Sequence, residues 1–178
     1  MPAIEIRPAL LEDLNSIVQI KQIYQTSAVW QMDRRVGDND FSIGFREVRL
    51  PRSIKVDVPN PPEFTTVSFT QPSGLLVASM PEGIVGYILV KEMTVPRSAW
   101  VEGLAVREEY RRKGIGSALL MAGQDWARSR HLVRMVLEMQ SKNIPAIHMA
   151  LGLGFEFCGY HDQYFANRDI ALFFGKFI

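Results

Sequence analysis

The sequence predicts one domain of the α/β (α+β) class, built on a mixed and mostly antiparallel sheet. Its 178 residues suit a single domain of residues 1–178 better than two domains. Strand patterns dominate the middle of the chain, and helix patterns separate the later strands. This arrangement is typical of helices packed against one sheet, so we expect about six to seven strands and about four helices.

The first part of the chain predicts a short strand, an amphipathic helix and a polar stretch. Residues 4–7 alternate in polarity before Pro8, which predicts a strand. Apolar residues recur at helical spacing over 10–24, so we expect a helix there. Residues 27–42 are mixed and polar, which favours a second short helix with a loop. Two further strand patterns lie at 48–58 and 65–70.

The second part of the chain has clearer patterns. A hairpin is predicted at 75–79 and 84–90, because Pro81, Glu82 and Gly83 provide a turn between two apolar runs. The remaining strands are predicted at 100–106, 133–139, 155–158 and 170–177, and the helices at 115–127 and 144–151.

Composition excludes several classes of function. The net charge is +1, with 20 basic and 19 acidic residues, whereas nucleic-acid-binding domains usually have a large basic excess. No apolar run approaches the ~20 residues of a membrane span, and the N-terminus lacks the pattern of a signal peptide. The single cysteine, Cys158, fits a reducing compartment, and we expect it to be a buried small apolar side chain. We therefore expect a cytoplasmic protein that binds neither nucleic acid nor a membrane.

A basic, glycine-containing turn is the most informative motif. It runs from Arg111 to Gly116, between a predicted strand and a predicted helix. Glycine lets the backbone approach a ligand closely, and the first N–H groups of a helix attract anions. Arg111, Arg112 and Lys113 add positive charge. The turn predicts a site for a phosphorylated ligand, and an ordinary tight connection with solvated cations is the alternative.

Two common phosphate motifs do not fit the turn. The Walker pattern Gly-x-x-x-x-Gly-Lys-Ser/Thr does not occur in this sequence. A dinucleotide fingerprint also fails, because the turn has only two glycines at this spacing and no full βαβ unit with an acidic strand end follows. No His, Cys or carboxylate cluster has metal-ligand spacing, so we expect no metal.

Two sequence blocks together match a family pattern. The first is Arg111-x-x-Gly114-x-Gly116, after the segment Gly103-Leu104-Ala105-Val106. The second is Asn143-x-x-Ala146, followed by Leu153-Gly154-Phe155. These blocks resemble the acyl-CoA pyrophosphate loop and the short-helix segment of the GNAT acetyltransferase superfamily. The C-terminal half resembles the streptothricin acetyltransferases more specifically, through residues 137–140, 143–148 and 170–177.

The resemblance implies a site for acetyl-CoA, the acyl donor. In this superfamily two neighbouring parallel strands splay apart, and here these would be the strands predicted at 100–106 and 133–139. The pantetheine arm would pair with main chain of the first strand, and the pyrophosphate would take N–H groups of the turn. The implied donor-binding residues are Leu104, Ala105, Val106, Arg111, Arg112, Lys113, Gly114, Ile115, Gly116, Ser117 and Asn143.

The implied reaction is direct transfer of an acetyl group to a primary amine of a small molecule or peptide. The amine must lose a proton, and Glu138 on the second splayed strand is the candidate base. The alternative for Glu138 is a side chain that faces solvent or pairs with a cation. Glu102, at the end of the first splayed strand, is a second candidate carboxylate, and a solvated carboxylate is its alternative.

At the position of the acid, the chain departs from the family pattern. Many members have a tyrosine seven residues after the asparagine, where this chain has Ala150. A neighbouring group or water must then protonate the thiolate, or activity is lost. Tyr164 is the candidate, with Tyr160 and His148 also near in sequence. Aromatic residues of the first helices, such as Tyr24, are expected in the core, with a wall of the acceptor pocket as the alternative.

Two other functions stay open from the sequence. A non-catalytic acyl-CoA-binding or sensor domain would keep the donor residues and could lack the tyrosine, as this chain does at Ala150. A structural or partner-binding module would not bind acetyl-CoA at all. The sequence does not indicate which amine is the acceptor, and a homodimer is common in the superfamily.

Overall fold

The computed structural model describes residues 4–59, 61–64, 69 and 74–178. In this part of the chain three α-helices flank two sheets, so the predicted α/β class is confirmed with one helix fewer than expected. The helices are α1 (Leu14–Val18), α2 (Ile115–Ser129) and α3 (Ile144–Gly152). The strands are β1 (Glu5–Pro8), β2 (Ile23–Val36), β3 (Phe41–Asp57), β4 (Gly74–Met80), β5 (Gly83–Met93), β6 (Ser98–Val106), β7 (Arg134–Gln140), β8 (Glu156–His161) and β9 (Ala171–Phe177).

The larger sheet has seven strands in the order β1-β4-β5-β6-β7-β9-β8. Strands β6 and β7 are parallel, and every other neighbouring pair is antiparallel. The parallel pair is joined only where residues 99–101 face residues 135–137. Beyond Val101 and Leu137 the two strands no longer pair with each other, although β6 continues to Val106 and β7 continues to Gln140. The sheet therefore opens at the C-terminal ends of its two central strands.

Helices cover both faces of this sheet. The buried stripe of α2, which includes Leu119 and Leu120, packs with α3 and one face of the sheet in the main core. Helix α1 places Ile17 on the opposite face, against Leu75 and Tyr87. A side chain at Gly123 would meet Ile88 Cδ1 at 2.9 Å, so glycine in the middle of α2 permits close contact with β5.

The N-terminal helix is shorter than the 10–24 pattern predicts. A 3₁₀ turn at Leu11–Asp13 leads into α1, which ends at Val18, and β2 already begins at Ile23. Arg7 Nη1 and Nη2 donate to the two carboxylate oxygens of Asp13, at 2.7 and 2.9 Å, and Asp13 also accepts the N–H of Leu10. This pair fixes β1 against the first helical turn, and the Arg7 hydrogen bond lowers the pKa of Asp13 despite its burial.

The prediction of a helix and a loop over 27–42 is wrong. Strands β2 and β3 form one long antiparallel hairpin, with Ile23 opposite Asp57 at its base and Val36 opposite Phe41 at its tip. In β2 the buried residues Tyr24, Thr26 and Ala28 alternate with exposed Gln25 and Ser27. Two of these buried positions hold the polar Thr26 and the small Ala28, so the period-two pattern is hidden in the sequence. The strand predicted at 65–70 falls on residues that, apart from Phe69, lie outside the described ones.

The middle of this hairpin is fixed to the large sheet. The N–H of Trp30 donates to the carbonyl of Ser141 at 2.9 Å, and Phe45 packs against Phe157 and Tyr160 with ring centroids 5.4 Å apart in both cases. The ten residues from 33 to 42 near the tip are all exposed. The proximal half of the hairpin therefore forms a wall beside the splayed strands, and the distal half extends into solvent.

Cys158 lies on the edge strand β8 and is exposed, so the prediction of a buried cysteine is wrong. The register of β8 with β9 shifts between Phe157 and Gly159, which leaves Cys158 as the extra residue of a bulge. Among the described residues, none of the helices combines the length and the apolar character needed to cross a membrane.

Candidate active site

The splayed ends of β6 and β7 open into a cleft of about 1340 Å³. Its walls come from the start of β2, the segment after β3, the ends of β5, β6 and β7, the turn before α2, the N-terminus of α3 and the loop before β9. The predicted site residues in its lining are Glu102, Leu104, Ala105, Val106, Arg111, Arg112, Gly114, Ile115, Gly116, Ser117, Glu138, Asn143 and Tyr164. The structure therefore brings the predicted site residues of 102–117 together with those of 138–164 in one cleft.

The turn before α2 presents backbone N–H groups to one end of the cleft. Arg112 and Gly114 have positive φ angles of 61° and 83°, and Gly114 precedes the helix without a side-chain cap. The first backbone bond of the helix runs from Ala118 N to the carbonyl of Gly114. The preceding N–H groups, on residues 115–117, therefore have no intrahelical partner and are available to an anion.

The three cations of this turn have different positions. Arg112 lines the cleft. Arg111 donates to the carbonyls of Val106 at 2.8 Å, Ile23 at 2.6 Å and Lys21 at 3.3 Å, so its guanidinium joins the turn to β6 and to the start of β2.

Lys113 is the predicted donor-binding residue that does not line the cleft. Its ammonium donates to the carbonyl of Glu109 at 3.0 Å and lies 5.1 Å from the ring centroid of Tyr110. Its charge therefore acts on the turn from outside the cleft.

Main chain of β6 and the start of α3 form the walls next to this turn. Leu104, Ala105 and Val106 lie beyond the last β6–β7 pair, so β7 does not occupy that edge of the strand. Asn143 caps α3, where its Oδ1 accepts the N–H of Ala146 at 3.3 Å. An extended ligand could pair with the free edge of β6 as an added strand would.

Glu138 and Tyr164 meet at the other end of the cleft. The Tyr164 hydroxyl donates to Glu138 Oε2 at 3.1 Å, and the Tyr164 ring packs edge-on against Phe173 and Phe165. Burial raises the pKa of Glu138, the bond from Tyr164 lowers it, and the charge of Glu102 raises it, with a net shift upward. Burial and the charge of Glu138 raise the pKa of Tyr164, so its hydroxyl stays protonated at neutral pH.

Glu102 lines the same end of the cleft but is more exposed. Its carboxylate lies 3.3 Å from the ammonium of Lys91, and its side chain is 41% exposed. It acts on Glu138 through its negative charge, which favours the protonated form of that carboxyl. Glu138 is therefore partly shielded from solvent, whereas Glu102 is exposed and forms an ion pair with Lys91.

The position of the missing family tyrosine and the other two candidate acids lie in different surroundings. Ala150 is fully buried in the main core and does not line the cleft. Tyr160 packs against Phe45, outside the cleft lining. His148 does line the cleft, and its Nε2 is 2.8 Å from Glu47 Oε2 on β3. No group of three or more potential metal ligands occurs within the described ranges.

Two residues that the sequence did not assign to the site also line the cleft. Tyr24 donates its hydroxyl to Gln140 Oε1 at 2.9 Å, and Gln140 Nε2 donates to Asp169 Oδ2 at 2.7 Å. The sequence predicted a core position for Tyr24 on a helix, with a wall of the acceptor pocket as the alternative; Tyr24 is buried, lies on a strand and lines the cleft. The alternation that begins at Ile23 is the pattern that could have placed it on a strand.

A family comparison agrees with this geometry. The model of the Acetyltransferase (GNAT) family matches residues 45–155. The chain belongs to the GNAT acetyltransferase family. The predicted family is therefore confirmed, and the opening between β6 and β7 is a feature of a GNAT domain that the matched residues contain.

Individual relatives agree with the narrower resemblance to streptothricin acetyltransferases. The streptothricin acetyltransferase of Streptomyces lavendulae is 31% identical over 160 residues, which cover 87% of this chain and 82% of that protein. Streptothricin acetyltransferase A of Bacillus subtilis (strain 168) is 42% identical over 57 residues, which cover 29% of this chain and 33% of that protein.

A solved structure shows the same fold over the full length. It is a candidate streptothricin acetyltransferase from Bacillus anthracis str. Ames, determined in complex with acetyl coenzyme A. The two chains superpose with a TM-score of 0.83 at 20% identity, and the match covers 99% of each. The predicted single GNAT fold with a mixed sheet is thus confirmed.

Proposed function

We propose that this GNAT protein transfers an acetyl group from acetyl-CoA directly to a primary amine of a small molecule. The observation that carries the proposal is the placement of the Glu138–Tyr164 pair and the anion-binding turn at opposite ends of one cleft. A phosphorylated donor fits the cationic end, and an amine fits the acidic end. Holding both reactants in one cleft supplies much of the rate enhancement in such reactions.

The donor end fits acetyl-CoA by the chemistry of its groups. The N–H groups at the start of α2 can bind the pyrophosphate, and Arg112 adds positive charge beside them. The free edge of β6 at Leu104, Ala105 and Val106 can bind the pantetheine amides through main chain. Main-chain recognition of this kind requires backbone geometry more than particular side chains.

The acceptor end fits an amine. Glu138 and Glu102 are carboxylates, and the rings of Trp100 and Tyr164 lie beside them in the cleft lining. An ammonium group is attracted by carboxylates and by aromatic faces. Because the pKa of Glu138 is raised, its carboxylate is a better proton acceptor than an ordinary glutamate, as a base for the attacking amine requires.

A sensor that binds acyl-CoA without turnover is the second candidate. The fully buried Ala150 favours it, since the usual tyrosine hydroxyl is absent from this position.

The exposed, free Cys158 fits the reducing conditions of the cytoplasm, which is the location that we propose. The homodimer stays a prediction.

Release of free thiol from acetyl-CoA tests the proposal. The purified protein is incubated with acetyl-CoA and a panel of primary amines, which includes streptothricin, a polyamine, lysine and a peptide with a free N-terminus. Turnover on a small-molecule amine supports the proposal. A thermal shift with acetyl-CoA but no turnover on any amine would favour the sensor, and no shift at all would indicate a module that does not bind the donor.

A further inference from the structure

Tyr24 lies across the opening between β6 and β7. On one side, Arg111 Nη1 donates to the carbonyl of Ile23 at 2.6 Å while its Nε donates to the carbonyl of Val106 at 2.8 Å, which fixes the start of β2 to the end of β6. On the other side, the Tyr24 hydroxyl donates to Gln140 at the end of β7. The start of β2 is thus linked to the C-terminal ends of both splayed strands, through Arg111 to β6 and through the Tyr24 hydroxyl to β7.

The hydroxyl of Tyr24 is held in place by a chain of side chains. The Gln140 amide donates to Asp169 at 2.7 Å, and this bond fixes which end of the amide faces Tyr24. Asp169 also accepts from Lys142 at 2.5 Å and from Asn167 at 2.9 Å. Burial raises the pKa of Tyr24, and Asp169 raises it further, so the hydroxyl remains a donor at any working pH.

The other tyrosines near the cleft have different partners or positions. Tyr164 donates to Glu138, the candidate base, and Tyr160 lies outside the cleft lining. Tyr110 lines the cleft beside the cationic turn, next to Lys113. Position 150, where the family places its tyrosine, is an alanine inside the core.

We propose that Tyr24 donates a hydrogen bond to the leaving sulfur and so replaces the tyrosine missing at Ala150. This assignment rests on the proposed acetyltransferase function. In the step, the amine nitrogen forms a bond to the thioester carbon, and the C–S bond breaks with its electron pair on sulfur. The amine proton passes to Glu138 and then to water. The Tyr24 O–H turns about its C–O bond toward the sulfur, stabilises the thiolate, and the thiolate takes its proton from water.

Tyr24→Phe tests the assignment, because it removes one oxygen and keeps the buried ring. We expect kcat to fall on the order of 100-fold or more, as for the loss of one catalytic donor. The Kd for acetyl-CoA, measured by calorimetry, should stay within about twofold, and the acidic limb of the pH–rate profile should not move. Tyr160→Phe is the matched control, since Tyr160 packs on Phe45 outside the cleft, and it should keep the wild-type kcat.

The outcomes separate this inference from the proposed function. Wild-type protein that acetylates no amine refutes the proposed function before any variant is compared. A Tyr24→Phe variant with the wild-type kcat overturns only the inference. A loss of acetyl-CoA affinity as large as the loss of kcat, or a shifted acidic limb, also overturns it, because Tyr24 would then act through packing or through Glu138.

Discussion

Glu138 is subject to three influences that act on its pKa in different directions. Burial raises the pKa, the Tyr164 hydroxyl bond lowers it, and the negative charge of Glu102 raises it. A base must be deprotonated to act, so the rate should rise with pH through this elevated pKa and reach a plateau above it. Under the proposed mechanism, the hydrogen bond from Tyr164 should therefore extend activity to lower pH.

Tyr164→Phe should move the acidic limb of the kcat profile to higher pH. The variant removes the hydrogen bond that lowers the pKa of Glu138 and leaves burial and Glu102, which both raise it. Activity at low pH should fall more than activity on the plateau. The measurement is kcat against pH with saturating substrates, and Glu138→Gln, which should lose the limb altogether, is the reference. A limb that stays in place in Tyr164→Phe would show that Glu138 is not the group that titrates.

Gly114→Glu should weaken acetyl-CoA binding by at least about tenfold, which corresponds to ~1.4 kcal/mol. The position has a φ of 83° and open space around it, so a side chain there fits sterically but strains the backbone. The carboxylate would also occupy the helix N-terminus and repel phosphate. Gly114→Ala carries the strain without the charge and is the matched control in calorimetric titration. Equal affinities of the two variants would argue against a phosphate at this turn.

At the scale of elements, strand β2 shows why the sequence pattern was misleading. The helical spacing of apolar residues continues from Leu10 to Tyr24, although the helix ends at Val18. The strand then buries Thr26 and Ala28, a polar and a small residue, which carry little hydrophobic pattern. Their burial depends on the distant elements that the hairpin contacts, such as α3, and one-dimensional periodicity does not contain that information.

Helix α3 provides a test at the scale of elements. Ala150→Tyr would restore the tyrosine that the family usually has, but the position is fully buried in the core between α3 and its neighbours. We expect the free energy of unfolding in urea to fall by about 1–3 kcal/mol because of overpacking, without a gain in kcat. Leu151→Tyr, at the adjacent exposed position, is the control and should change stability little. A stable and more active Ala150→Tyr variant would mean that α3 can present this side chain to the cleft.

At the scale of the molecule, predictions from sequence succeed where function constrains the backbone locally. The turn at Arg111 to Gly116 and the helix at 144–151 could be predicted because glycines and apolar spacing leave local patterns in the sequence. The Tyr24–Gln140 contact could not, since its two residues are 116 positions apart and come from elements that pack only in the folded protein. Contacts between such distant residues depend on the folded structure, whereas the turn before α2 lies within one short segment.

Strands β6 and β7 pair through only three residues each. The large sheet therefore consists of two halves that meet along this narrow seam. Among the strand pairs of the large sheet this junction has the fewest paired residues, and a donor that pairs with the free edge of β6 would stabilise it. Bound CoA should slow hydrogen–deuterium exchange in residues 102–106 and 138–140, measured by mass spectrometry, while peptides of β4 serve as the internal reference. Uniform protection across the sheet, or none at the seam, would contradict this view. The gap between β6 and β7 would thus have two roles: it would bind the donor for the reaction, and the bound donor would stabilise the central sheet where its own strands do not pair.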